Sequence, residues 1–168
     1  MENIKLDAFL DFKFISGLKV SPNQRMMAFS VAQAQLEKNE YHYDLYIDDG
    51  IKKQRLVSMN KNNSFIWEND YSILFSFTKT KAQEKKVKEH HQFYYRINLI
   101  NKKIELAYEF SFSAKIVKVI SDQKLLLSSS MTEFEHQLYL NKDDQRKVVV
   151  DRIKKESLYE DINEIPFY

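Results

Sequence analysis

Four histidines, His42, His90, His91 and His136, are the first candidates for metal ligation or general base work. A metal needs ligands that converge. His90 and His91 are adjacent, so on a strand they would point to opposite faces and could not share one ion. No H-E-x-x-H spacing occurs, and surface or hairpin-tip positions are expected for all four. Glu133 and Glu135 lie two apart and would share one face of a strand. Exposed carboxylates are common, so a structural or solvated role is expected for both. The run Lys79-Thr80-Lys81-Ala82-Gln83-Glu84-Lys85-Lys86-Val87-Lys88-Glu89 is the most basic stretch. A single-strand nucleic-acid groove would interleave aromatic stacking platforms, and none occurs before Phe93. A solvated hairpin arm or loop is the expected form of this run.

Glycine and cysteine counts exclude most other chemistry. The chain has Gly17 and Gly50 only, 33 positions apart, where about a dozen glycines would be ordinary. Phosphate loops of the G-x-x-x-x-G-K-[ST] type and G-x-G-x-x-G dinucleotide turns are therefore excluded. The G-x-S-x-G nucleophile elbow is excluded as well. With no cysteine there is no disulfide and no thiolate metal site. No catalytic, cofactor-binding or metal-binding residue is assigned, and no cofactor is expected.

The 168 residues carry 26 Lys plus Arg against 24 Asp plus Glu, a net charge of +2. That balance predicts no general affinity for nucleic acid or for acidic membranes. Hydrophobic residues make up 43% and aromatics 14%, enough for a folded core. The polar N-terminus has no apolar targeting region, and no apolar run approaches the roughly 18 residues a bilayer needs. A cytoplasmic location and no membrane partner are expected.

The elements that would position these residues read as strands. Residues 3–13 suit a short helix or an ordered arm. Phe14 to Val20 is β-prone and stops at the turn Ser21-Pro22-Asn23-Gln24. Arg25 to Ala34, Tyr41 to Ile47 and Ile51 to Met59 follow, with Asp48-Asp49-Gly50 as a hairpin turn. The order then repeats: Ser64 to Trp67, the turn Glu68-Asn69-Asp70, Tyr71 to Thr78, Phe93 to Leu99, the turn Asn101-Lys102-Lys103, and Ile104 to Phe110. Phe29-Ser30 falls on Phe75-Ser76 at an offset of 46. A third round runs through Lys115 to Ile120, a turn at Ser121-Asp122-Gln123, Lys124 to Ser129, Gln137 to Leu140 and Val148 to Val150.

Three rounds of four strands, roughly 50 residues each, mark the blades of a propeller. The fold class is all-β: a partial β-propeller of about three four-stranded antiparallel blades over 1–168. The blades fall at about 14–60, 61–112 and 113–156, and 157–168 begins another. Second strands such as Ile73 to Phe77 are continuous rather than alternating, as strands buried on both faces are. Trp67 and Phe65 are expected to anchor blade packing. Tyr46, Tyr94 and Tyr139 are expected in the core, with hydroxyls reaching polar partners.

The opening Phe12-Lys13-Phe14-Ile15-Ser16, followed by Val20-Ser21-Pro22-Asn23-Gln24-Arg25-Met26-Met27-Ala28-Phe29, resembles a pattern of the prolyl oligopeptidase family of serine peptidases. That pattern is a strand followed by V-S-P-D-G-K-x-x-A-F, and here Asn23-Gln24 replaces Asp-Gly. Asp44-Leu45-Tyr46-Ile47-Asp48 resembles the D-I-Y-V-D strand of the acylaminoacyl-peptidase and dipeptidyl-peptidase-like branch. Asp161 to Tyr168 is similar to a run that precedes a further blade there. The resemblance implies the non-catalytic propeller portion of a serine peptidase that acts on short peptides. It implies a separate C-terminal α/β-hydrolase domain and a peptide substrate as partners. No catalytic residue of the family maps onto this chain. Acidic pairs hold a substrate amino terminus in some members, but the residues flanking Glu133 and Glu135 do not match that motif. The alternative is a stand-alone propeller-like interaction module without peptidase activity. Three blades leave apolar faces open, so self-association of this chain is expected.

Overall fold

The structure of the chain, a computed structural model, describes residues 8–121 and 124–130. The chain divides into two compact units, Met1–Ser128 and Ser129–Tyr168. All elements described here belong to the first, apart from the last residue of the last strand.

A 3₁₀ turn at Ala8–Asp11 leads into a four-stranded antiparallel sheet, β1 (Lys13–Val20), β2 (Met27–Gln35), β3 (Glu40–Asp48) and β4 (Lys53–Asn60). A second such sheet follows in the same up-and-down order, β5 (Phe65–Asn69), β6 (Ser72–Ser76), β7 (Gln92–Asn98) and β8 (Ile104–Phe110). β9 (Ala114–Ser121) and β10 (Lys124–Ser129) form a two-stranded sheet. Each strand thus pairs with its neighbour in sequence, the blade arrangement of a propeller. The expected strands Gln137 to Leu140 and Val148 to Val150 lie outside the described residues.

Side-chain alternation lets one strand serve two interfaces. Ala28, Leu45, Ile47 and Met59 of the first sheet pack against Phe65, Trp67, Ile73, Phe75, Phe93 and Tyr95 of the second. On the reverse face of the second sheet, Leu74 and Tyr94 pack against Ile116 of β9. β6 is buried at all five positions, as its continuous apolar run predicts. Each fully buried side chain of this size contributes about 1.5–3 kcal/mol. β10 departs from the expectation of burial on both faces: Leu125 and Leu127 turn toward the second sheet while Leu126 is exposed.

The offset of 46 has a structural meaning. Phe29 pairs with Tyr46 across β2 and β3, and Phe75 pairs with Tyr95 across β6 and β7. Ser30 and Ser76 are buried next to them, and both are satisfied. Ser30 Oγ donates to the Ser16 carbonyl and lies 2.8 Å from Ser16 Oγ, and Gln92 Nε2 donates to Ser76 Oγ. Gly17 sits at a bulge in β1 with φ +64°, and a Cβ there would lie 3.2 Å from the Phe65 ring. The glycine therefore permits both the backbone turn and the close approach of the first two sheets.

Few glycines mean that other residues occupy left-handed turn positions. Gln24, Asn39, Asn60, His90 and Lys102 all have positive φ. Asn tolerates this conformation, but Gln and Lys gain nothing from it. Gln24→Gly and Lys102→Gly are each expected to raise stability by about 0.5–1 kcal/mol. Urea unfolding midpoints measure this, and a loss of stability in both variants would contradict it.

The basic run from Lys79 to Glu89 corrects the expectation of a hairpin arm or loop. Lys81–Lys88 is an α-helix, α1, inserted between β6 and β7. Thr80 Oγ1 accepts from Gln83 N–H, and the Gln83 side chain accepts from the Thr80 N–H, a capping box. At the other end His91 N–H donates to the Lys86 carbonyl and His90 N–H to that of Val87. His90 takes the left-handed position, φ 68°, that closes such a helix end. The connection at the same place in the first sheet is short. β2 continues to Gln35, and a single 3₁₀ turn, Leu36–Lys38, joins it to β3.

Candidate functional rim

Two ends of the blades can be told apart by one contact. Asn23 N–H in the β1–β2 turn donates to Asp70 Oδ1 in the β5–β6 turn, so these turns share an end. The β2–β3 turn and α1 lie at the opposite end and form the rim.

At the turn end, the resembling motif Val20 to Phe29 is a closed hydrogen-bonded unit. Asn23 Oδ1 accepts from Ser21 Oγ and from Arg25 N–H. Ser21 Oγ accepts in turn from Met26 N–H. Asn23 thus supplies the acceptor oxygen that an aspartate would supply. Gln24, at φ 61°, stands where the glycine of the pattern would relieve strain. A groove of about 630 Å³ lies beside this turn, lined by Val20, Pro22, Arg25, Met27, Asp48 and Gly50 among others. Its carboxylates are committed to the neighbouring hairpin: Asp48 accepts from Gly50 N–H, and Asp49 from Ile51 and Lys52 N–H. The Lys52 and Ile51 amides hold the Asp49 carboxyl below its usual range.

At the rim, α1 is fixed by polar contacts of its inner side. Gln83 Nε2 is 2.9 Å from the Tyr95 hydroxyl, which also donates to Gln83 Oε1 at 3.0 Å. Phe77 meets the Tyr95 ring edge-on. Lys86 Nζ donates to Glu109 Oε1 on β8 at 2.6 Å. His91 Nδ1 is buried 3.3 Å from the same oxygen, close enough for charge attraction but without hydrogen-bond geometry. The ring stacks near Phe93. His90 and His91 therefore end a helix, and do not lie on opposite faces of a strand. Lys79, Lys81, Lys85 and Lys88 project to solvent.

Lys86, then its charge and that of His91, hold the Glu109 carboxyl below its ordinary 4.5. A carboxylate depressed on folding stabilises the fold above its ordinary value, and that contribution is lost as pH falls below 4.5. Because the pair is partly exposed, about 0.5–1 kcal/mol is expected. Glu109→Gln should therefore be less stable than the parent at pH 7, with the difference vanishing near pH 3. Equal stability differences at both pH values would contradict this.

The remaining candidates separate. His42 is on β3, with Nε2 3.2 Å from Asp44 Oδ1 and 3.0 Å from Ser58 Oγ. Arg55 also donates to Asp44, so this is a cross-strand network between β3 and β4. Tyr94 is in the core as expected, its hydroxyl donating to the Ala114 carbonyl and accepting from Ile116 N–H. Tyr46 is half-buried, stacked on Phe29. Trp67 and Phe65 anchor the packing of the first two sheets, and Trp67 Nε1 donates to the Lys19 carbonyl. Lys19 Nζ in turn donates to the Phe65 carbonyl at 2.6 Å; burial and the charge of Lys115 lower its pKa. His136, Tyr139, Glu133 and Glu135 lie outside the described residues. Among the described residues no cluster of three His, Cys, Asp or Glu could hold a metal ion. No described helix is long and apolar enough to cross a membrane.

The sequence did not reveal the ion pair of Arg96. Its Nε and Nη2 each lie 2.5 Å from a Glu68 oxygen, and Nη1 lies 3.4 Å from Glu105. Glu68 first, then Glu105, raises the Arg96 pKa further above its usual value. The signal was present only as the acidic turn after Trp67 and a lone arginine 28 positions on.

No family model and no curated protein matches the sequence. Two solved structures are similar in fold. The β-propeller domain of the Trilobed protease from Pyrococcus furiosus is 16% identical with a TM-score of 0.47, over 64% of this chain and 31% of that one. The acylaminoacyl peptidase of Pyrococcus horikoshii is 16% identical with a TM-score of 0.49, over 68% of this chain and 16% of that one. The chain thus spans about a third and a sixth of the length of these two proteins.

Proposed function

We propose that this chain is the non-catalytic propeller portion of a cytoplasmic serine peptidase acting on short peptides. Its blades would govern which peptides reach a separate Ser-His-Asp site on an α/β-hydrolase domain. The observation that carries the reading is the Val20 to Phe29 turn. It is closed by hydrogen bonds to Asn23 Oδ1 and Ser21 Oγ although Asn23-Gln24 replaces the Asp-Gly of the resembling pattern, and it opens a blade of the expected strand order. The mechanism is steric and electrostatic. A rim built from α1 and the β2–β3 turn would admit short chains, and its lysines would favour peptides carrying negative charge.

The purified chain is expected to hydrolyse no aminoacyl or dipeptidyl chromogenic substrate, because no nucleophile elbow is present. A serine-reactive phosphonate should likewise leave it unlabelled. Labelling at a single stoichiometric site would overturn the non-catalytic assignment.

A further inference from the structure

The first strands of the three sheets gather positive charge without a counter-ion. β1, β5 and β9 are edge strands of their own sheets, and β5 contacts both of the others. β1 carries Lys13 and Lys19, β9 carries Lys115 and Lys118, and neither strand carries a carboxylate. The single acid on β5 is Glu68, which is already taken by the forked contact with the Arg96 guanidinium. Among the described residues none of the four lysines forms an ion pair.

Two of these lysines act on each other. Lys19 Nζ crosses to β5, donates to the Phe65 carbonyl at 2.6 Å and stands 5.3 Å from the centre of the Phe65 ring. The carbonyl and the ring face orient the ammonium, but neither carries a net charge to balance it. An ammonium has three donors, and the carbonyl takes one. Burial first, and then the charge of Lys115, hold Lys19 below its ordinary 10.5. Lys115 itself is exposed, so a ligand can reach it. Two like charges brought together at a partly buried place cost free energy that a shared anion recovers.

We propose that Lys19 and Lys115 form a binding site for a small oxyanion, a carboxylate or a phosphate, beside Phe65 where β1 and β9 flank β5. Lys19 supplies a donor whose position Phe65 fixes, and Lys115 supplies the second charge. Lys13 and Lys118 add to the field that draws an anion in. Ammonium groups act as point charges, so the site selects by charge and size, not by planar two-point geometry. Free phosphate and the terminal carboxylate of a peptide share this chemistry.

Two-dimensional ¹H–¹³C NMR of the lysine ε-methylenes in the whole chain tests the site. The probes are inorganic phosphate and trialanine, the latter with a free or an amidated carboxyl terminus. Saturable shifts at Lys19 and Lys115 are expected, with exposed Lys102 in the β7–β8 turn unmoved. Shifts with free trialanine but not with its amide identify a peptide terminus as a source of the anion. Shifts with phosphate alone identify a free anion. Binding should also move the Lys19 titration up toward its ordinary value, because a bound anion favours the charged amine. Lys115→Met should weaken binding about tenfold, and so should Lys19→Met, whereas Lys19→Arg keeps the charge and most of the affinity. Circular dichroism and urea midpoints check that each substituted chain folds. Shifts spread evenly over the exposed lysines, or rising without saturation, would overturn the proposal and leave Lys19 as a cap on the Phe65 carbonyl. So would anion binding that Lys115→Met leaves unchanged.

Discussion

Trp67→Ala is expected to destabilise the fold by about 3–5 kcal/mol, the cost of deleting a large buried aromatic side chain. Trp67 is 7% exposed and lies among Phe65, Ile73 and Met59 where the first two sheets meet. Its indole N–H also satisfies the Lys19 carbonyl at 3.0 Å. Alanine would open a cavity and remove that hydrogen bond together. Trp67→Phe keeps most of the ring volume and should cost about 0.5–1.5 kcal/mol, through the lost indole hydrogen bond. Urea unfolding should show both losses. A cost below that of an ordinary surface change, in either variant, would mean that the sheets do not meet through this residue.

Arg96→Ala is expected to cost about 2–3 kcal/mol, because it leaves the Glu68 carboxylate, with only 9% of its side chain exposed, without its cation. The guanidinium bridges β5, β7 and β8 on one face of the second sheet. Coulomb attraction alone does not set the loss, since Arg96 itself is 32% exposed and screened. The desolvated carboxylate does. Arg96→Met with Glu68→Met should therefore recover most of the stability, as replacing both members of a buried pair by apolar groups often does. A double variant as unstable as Arg96→Ala would show that the pair stabilises the fold through its own attraction.

The parts of the fold legible in the sequence are those that depend on local alternation and on repetition. Ile73-Leu74-Phe75 is continuously apolar because both faces of its strand meet a neighbouring sheet. The match of Phe29-Ser30 to Phe75-Ser76 marks equivalent positions in consecutive blades. The helix at Lys81–Lys88 was hidden because its outer face is all charge and no apolar stripe marks its period. Its signal is the spacing of Thr80 and Gln83, a capping box set inside a charge run. Burial of β10 on one face alone could not be inferred from Leu125-Leu126-Leu127, since the run does not say what covers each face. Left-handed positions at His90 and Lys102 give no sign in the sequence, because glycine is the residue that announces them, and that at Gln24 shows only through the glycine of the resembling pattern. Within the candidate rim, the Gln83–Tyr95 and Lys86–Glu109 contacts join residues 12 and 23 positions apart, which only the fold brings together.

The coding sequence beyond Tyr168 tests the functional account most directly. The account predicts further four-strand units in frame, followed by a hydrolase domain whose nucleophile stands in a G-x-S-x-G elbow. A stop codon directly after Tyr168 would contradict it and leave these blades as an interaction module in their own right.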